Sequence, residues 1–381
     1  MENNKTPSKK IIGYWMSEKK TQKLNWSEFK FVCKKHGFDL IKVDLTKSLD
    51  NQGPFSVIVH KLTDIIVQAN KQDQQASVII EELERYMCQH PEVAIIDPLY
   101  NVRQLLDRYK SYSLIHNNAE LLENAVFTPT FVEIVSHNVE ENLATLQKAG
   151  VQFPFVCKPS VNHGSSEAHK MAIIFNEKGV RDCKPCSVAQ TFINHNAILY
   201  KIYCVGEEYF VVERPSLKNF YSNDHETIFF CTHDVSKSDS TSSLTVLDED
   251  DPSPKSTALD HKRLDRIVKA VRKEIGLALM GIDVVVENHT NRYAIIDINA
   301  YPGYDGYPNF FDSLMRCIVK TVECHEANVT PTESKLISKK VNLFSTSPNY
   351  GTEGISTGQA TDQEDSGFDT SDSSDEKKKQ L

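Results

Sequence analysis

Asp297-Ile298-Asn299-Ala300-Tyr301-Pro302-Gly303 is the stretch on which the fold of this chain turns. It continues the apolar segment Tyr293-Ala294-Ile295-Ile296, which is expected to be a buried strand. Side chains two apart on a strand share a face, so Asp297 and Asn299 point the same way. Two adjacent oxygen-bearing side chains suit a hard cation such as Mg²⁺, which takes few protein oxygens and completes its shell with water and nucleotide phosphates. Pro302 and Gly303 predict a turn that sets the pair at the mouth of a cleft. A second approach, Leu279-Met280-Gly281-Ile282, leads to Asp283 and runs on through Val284-Val285-Val286. Neighbouring strands bearing Asp and Asp-x-Asn predict a nucleotide-metal site, a signal shared by many metal enzymes.

Composition frames this reading. A length of 381 residues suggests two or three domains. The 40% apolar and 25% charged content is that of an ordinary globular protein. A formal net charge of -9 argues against a general nucleic-acid binder, which carries a basic stripe. It leaves room for a small anionic ligand, because local clusters focus a field inside a cleft. The N-terminal residues carry no apolar run of signal-peptide type, and no stretch is long enough to cross a bilayer. With nine scattered cysteines, a reducing cytoplasmic setting is expected. Cys183-Lys184-Pro185-Cys186 has no second pair at zinc spacing and reads as a surface loop.

Along the chain, residues 1–110 alternate strand and helix. Strands are expected at 10–15, 38–45, 57–60 and 93–98, with helices opening at Asn25 and covering 77–87. This pattern predicts a parallel sheet with helices on both faces. No Gly-x-Gly-x-x-Gly fingerprint accompanies it, which argues against dinucleotide binding. A linking helix is expected over 102–117. Closely spaced strand-like pieces at 153–158, 171–175, 187–193, 198–205 and 208–213 then suggest antiparallel pairing, with a helix at 139–148 alongside. The expected boundaries are 111–212 for a central lobe, 213–327 for a C-terminal lobe and 328–381 for a disordered tail rich in Ser and acidic residues.

Several residues outside the metal motif could carry chemistry. Lys158 ends an apolar strand, where a point charge could meet phosphate, although a strand-end lysine is also commonplace. The loop 161–169 is built of small residues and carries His163 and His169, which could bind an anion or simply face solvent. Gln190-Thr191-Phe192-Ile193 leaves a strand in extended form and could pair an adenine edge through its backbone. Lys201 interrupts an apolar strand and must snorkel out or find an anion. The turns holding Ser216, Thr232 and Ser236 could close over phosphates. Lys20 and Lys61 follow the first and third predicted strands, at the carboxyl ends where open α/β sheets bind ligands.

Together, Asp283, Asp297-x-Asn299-x-x-Pro302-Gly303, Lys158 and the antiparallel middle resemble the ATP-grasp fold, with Asp at a position where that fold more often has Glu. The resemblance extends further. Ile11-Ile12-Gly13-Tyr14-Trp15, Val59-His60-Lys61, Leu105-Leu106-Asp107-Arg108, Ile193-Asn194-His195-Asn196-Ala197, Arg214-Pro215-Ser216-Leu217-Lys218-Asn219-Phe220 and Gly281-Ile282-Asp283 look like the inositol-tetrakisphosphate 1-kinase family, also called inositol 1,3,4-trisphosphate 5/6-kinases. It covers about residues 10–311. It implies an α/β protein of ATP-grasp fold whose α+β lobes follow an N-terminal Rossmann-like domain. It also implies ATP and two Mg²⁺ ions as cofactors. Lys20, Lys61, His163, His169, Lys201, Asn299 and Gly303 would bind inositol phosphate. Arg108, Lys158, Gln190, Thr191, Phe192, Ile193, Lys201, Ser216, Thr232 and Ser236 would bind ATP. Asp283, Asp297 and Asn299 would hold metal and, with Lys201, support catalysis. The chain is expected to act as a monomer on a small molecule, with no nucleic acid and no membrane insertion.

Two other classes stay open. An ATP-grasp ligase joining a carboxylate to an amine would need both for ATP turnover. A non-catalytic ATP-binding scaffold would bind nucleotide without turning it over.

Overall fold

Three sheets organise this computed structural model, which describes residues 10–162, 166–251 and 259–328. His163 and the tail beyond 328 lie outside the described residues. The first sheet contains β1 (Lys10–Trp15), β2 (Phe38–Lys42), β3 (Val57–His60) and β4 (Ala94–Ile96) in the order β2-β1-β3-β4, with every pair parallel. This is the arrangement that the strand–helix alternation predicts. Asp73 caps the helix Gln74–Gln89 by accepting from the Ala76 amide. Asn25 stands at the start of the helix Trp26–Lys35 but makes no capping bond; its amide reaches Glu28 at 3.3 Å instead.

The single linking helix expected over 102–117 is instead two helices, Leu99–Gln104 and Arg108–Ile115. Asp107 causes the break. Its carboxylate accepts from the Lys110 amide at 2.9 Å, so the chain restarts there as a new N-terminus. The restart turns Arg108 inward, leaving it 2% exposed.

The rest of the chain supplies β5 (Val126–Phe127), β6 (Phe131–Ile134), β7 (Phe155–Pro159), β8 (Lys170–Ile174), β9 (Ser187–Thr191), β10 (Ile198–Val205), β11 (Glu208–Pro215), β12 (Ile228–Cys231), β13 (Leu279–Val286) and β14 (Tyr293–Ala300). The second sheet, β12-β8-β7-β9-β6, is antiparallel throughout. The third has the order β11-β10-β13-β14-β5 and is antiparallel except where β14 meets β5. The strands expected to lie side by side in the middle of the chain therefore divide. β7, β8 and β9 enter the second sheet, while β10, with β11 at its outer edge, pairs with the much later β13. Local spacing carries no information on partners some 80 residues away, because strand pairing is decided by which faces can be buried together.

The third sheet is amphipathic in a specific way. Ile202, Ile282 and Ile298 point into a core shared with Ile58, Leu62 and Leu105 of the N-terminal part. Alternate positions on the same strands point to the opposite face, where Lys201, Asp283 and Asp297 line a cleft while Tyr203, Val205 and Leu279 join a second core with Ile12 and Phe29. A polar seam ties the first sheet to the third. Buried Asp97 accepts from the backbone amides of Ala278 and Leu279 at 2.7 and 2.9 Å, just where β13 begins. Buried His60 donates through Nε2 to the Asp97 carbonyl at 2.7 Å. Burial pushes the Asp97 carboxyl up to about 7 and the His60 imidazole down to about 4.

Candidate active site

Strand register builds the centre of the site. Lys201 of β10 lies opposite Asp283 of β13, and Asp283 lies opposite Asp297 of β14. Cross-strand partners share a face, so the three side chains form one row across three strands. The next row, two residues along, holds Tyr203, Gly281 and Asn299. A register shift between Asp283 and Val284 lets the buried segment 284–286 run on while the Asp283–Asp297 pair keeps its aim. Gly281 is required for space: a Cβ there would lie 3.1 Å from both Cβ and Cγ of Pro302.

Two aspartates face to face repel, and Lys201 offsets this with its Nζ 3.2 Å from Asp283 Oδ2. Burial and the Asp297 charge push the Asp283 carboxyl above its usual range, against the pull of Lys201. Burial opposes the Lys201 charge as well, but the fields of Asp283, Tyr203 and Asp297 bring the net direction upward, so it stays an ammonium. Asp283 Oδ1 is buried and, among the described residues, has no hydrogen-bond partner. Asn299 is held from behind by buried Asn162, whose amide nitrogen donates to Asn299 Oδ1 at 3.3 Å and to the Ile298 carbonyl at 3.2 Å.

The opposite wall comes from β7 and the helix Arg108–Ile115. Lys158 is 6% exposed, and its Nζ donates to Gln190 Oε1 at 2.7 Å, the Ile296 carbonyl at 2.9 Å and the Tyr112 hydroxyl at 3.2 Å. Burial pushes its amine down to about 8, a tendency that Asp297 opposes and Arg108 reinforces. The Arg108 fork donates to the carbonyls of Pro159, Val161 and Ala168, and its Nε sits 3.9 Å from Asp297 Oδ1. That Nε is buried without a hydrogen bond.

Between the walls lies a cleft of about 770 Å³, within the usual range for a small-molecule site. Thr191, Phe192 and Ile193 line it as β9 runs out, and Ser216, Thr232 and Ser236 line its far side. Ser216 is fixed by buried His195, which donates from Nδ1 to the Ile193 carbonyl at 2.6 Å and so accepts through Nε2 from the hydroxyl at 2.7 Å. His169 contacts Thr232 Oγ1 through Nδ1 at 3.1 Å, and its ring centre lies 3.9 Å from that of His233. Burial, then His233, pushes the His169 imidazole down to about 4, so it is neutral near pH 7. Lys61 and Gly303 also line the cleft. Lys20 stands outside its lining but reaches the same turn: its Nζ donates to the Pro302 carbonyl at 2.8 Å, as Lys61 does to the Tyr301 carbonyl at 2.7 Å.

The candidate residues of the sequence thus converge on one cleft, apart from His163, which lies outside the described residues, and Lys20, which reaches only its rim. Sequence reasoning missed Tyr112, Asn162 and His233. Tyr112 was the most accessible of these, since it stands four residues after Arg108 and so shares its helix face.

Among the described residues no three His, Cys, Asp or Glu side chains converge as a self-sufficient metal cage. The donors that do converge are two carboxylates and an amide, and one carboxylate oxygen is buried without a partner. That set fits an ion such as Mg²⁺, which keeps water and phosphate in its shell, and does not fit a closed structural metal. The facing lysines and arginine supply the countercharge that a bound polyphosphate needs.

Comparison with known proteins decides the family. Residues 121–320 match the model of the inositol 1,3,4-trisphosphate 5/6-kinase ATP-grasp domain, and residues 11–102 match that of its pre-ATP-grasp domain. The chain belongs to the inositol 1,3,4-trisphosphate 5/6-kinase family. An inositol-tetrakisphosphate 1-kinase from Xenopus laevis is 43% identical over 82% of this chain and 79% of its own length. One from Danio rerio is 43% identical over 84% and 81%. Inositol-tetrakisphosphate 1-kinase 1 of Oryza sativa subsp. indica is 32% identical over 81% and 85%. Among solved structures, the D-cycloserine synthetase DcsG superposes with a TM-score of 0.52 at 12% identity, over 82% of this chain and 99% of its own. That likeness speaks for the fold of this kinase-family chain and not for its chemistry.

Proposed function

We propose that this chain transfers the γ-phosphoryl group of ATP to a hydroxyl of an inositol tris- or tetrakisphosphate, as an inositol 1,3,4-trisphosphate 5/6-kinase and inositol 3,4,5,6-tetrakisphosphate 1-kinase. The observation that carries this reading is the Lys201–Asp283–Asp297 row facing Lys158 and Arg108 across one cleft. In this reading Asp283, Asp297 and Asn299 hold two Mg²⁺ ions, which when bound would neutralise charge on the β- and γ-phosphates. Phosphoryl transfer has a loose transition state, so the protein's work is positioning and charge neutralisation. Lys158 and Arg108 orient the phosphate chain, and the 190–193 segment holds the adenine edge. Thr232 and Ser236 supply hydroxyl donors above it, and Ser216, whose proton goes to His195, offers its oxygen as an acceptor. Lys20, Lys61 and His169 hold acceptor phosphates so that one ring hydroxyl lies in line with the γ-phosphorus, and Lys201 neutralises charge as it develops. A basic acceptor side supports a polyphosphate acceptor over the carboxylate and amine of a ligase. The nine cysteines are all free, which supports a reducing, cytoplasmic setting, and we propose a monomer.

The test is incubation with Mg²⁺, radiolabelled ATP and each of a panel of inositol tris- and tetrakisphosphates. Transfer to at least one is expected, and the Asp297→Asn variant should lose on the order of 100-fold or more of the rate with an unchanged unfolding curve. Absence of transfer to every member, or turnover that requires a carboxylate together with an amine, overturns the reading.

A further inference from the structure

Tyr112 is fully buried, yet its hydroxyl lies between two groups of the site that sit on opposite walls. It stands on the helix Arg108–Ile115, one turn after Arg108, and that helix packs against β14. Lys158 Nζ lies 3.2 Å from the phenol oxygen, and the same oxygen lies 3.3 Å from Asp297 Oδ1. An ammonium only donates and a carboxylate only accepts, so the proton pattern is determined: Lys158 gives to the phenol, and the phenol gives to Asp297. Arg108 Nε approaches that same Oδ1 at 3.9 Å. Asp297 Oδ1 is therefore engaged from the helix side. Among the described residues its other oxygen accepts from the Asn299 amide alone, at 3.5 Å.

We propose that Tyr112 is a positioning residue that selects which oxygen of Asp297 is presented to the metal and sets the spacing between Asp297 and Lys158. The proposal rests on the nucleotide-metal reading of the site given above. A carboxylate on a strand can rotate about its last bond. A hydrogen bond from a buried phenol to one oxygen opposes that rotation and leaves the second oxygen for a ligand, on the strand position opposite Asp283. Partners of this kind tune ligand orientation in metal sites. A single oxygen thereby couples the nucleotide-side lysine to the metal-side carboxylate.

Tyr112→Phe removes that oxygen and keeps the ring, which packs edge-on against Phe131 with centroids 5.4 Å apart. ATP binding is measured by titration calorimetry without an acceptor, over a Mg²⁺ series and in EDTA. The affinity for Mg²⁺ in the ternary complex should fall about 10-fold or more, while metal-free ATP binding and the KM for the inositol phosphate stay within about twofold. In an Asp297→Asn background the same substitution should have no further effect on Mg²⁺ dependence. A Tyr112→Phe protein that matches wild type in its Mg²⁺ series overturns the proposal. So does one that loses ATP affinity equally with and without metal, the signature of a merely structural role. Wild-type protein that shows no Mg²⁺-dependent ATP binding overturns the nucleotide-metal reading together with this one, which separates the two failures.

Discussion

Lys158 should couple ATP binding to proton uptake. Its amine is 6% exposed and is pushed down to about 8 by burial, against the opposing field of Asp297. At pH 8 the nucleotide-free protein therefore carries this charge in about half of the molecules, and at pH 9 in about one tenth. A polyphosphate placed against the amine stabilises the ammonium and restores its ordinary value. Binding of MgATP at pH 8 should then take up about 0.5 proton, and apparent ATP affinity should fall roughly tenfold between pH 7 and pH 9. Titration calorimetry in two buffers of different ionisation enthalpy reads the uptake directly. The same titration affects stability. Between about 8 and 10.5 the unfolded chain binds the Lys158 proton more tightly than the folded one, so the stability of nucleotide-free protein rises with pH across that window. A shift of this size is on the order of 3 kcal/mol in total. In Lys158→Met both effects should vanish. Zero uptake at pH 8, or uptake that persists in Lys158→Met, refutes the reasoning.

Other consequences can be checked separately. Lys201→Met removes the partner of buried Asp283, so the carboxyl should rise further and the acid limb of the rate–pH profile should move upward by about one unit or more; an unmoved limb contradicts the pairing. Gly281→Ala presses a methyl against Pro302 and displaces the turn holding Gly303, with a cost of about 1–3 kcal/mol, so KM for the inositol phosphate should rise several-fold more than KM for ATP. Asp97→Ala leaves the amides of Ala278 and Leu279 unpaired inside the protein; urea unfolding should show a loss of about 2–5 kcal/mol, and an unchanged midpoint would mean the seam contributes nothing.

Much of this chain is legible without coordinates, for definite reasons. The parallel first sheet follows from alternating strand and helix patterns, whose information is local. The metal motif is local too: on one strand, period two puts Asp297 and Asn299 on one face whatever surrounds them. The break before Arg108 was local in cause but concealed, because Asp107 competes for helix backbone amides within a pattern that otherwise reads as continuous. Partner identity was not legible. That β10 leaves its neighbour β9 to pair with β13 is decided by burial of Ile202 against Ile282, and only this pairing sets Lys201 beside Asp283. Tyr112 shares a helix face with Arg108, but its role and that of Asn162 were not legible, since each acts through a residue more than 130 positions away. Sequence alone determined which chemical groups this protein has and the faces on which they ride. Tertiary structure decided which of them meet, because long-range pairing is settled by the joint burial of apolar faces, and burial in turn pushed the amine of Lys158 and the imidazole of His169 down and the carboxyl of Asp283 up.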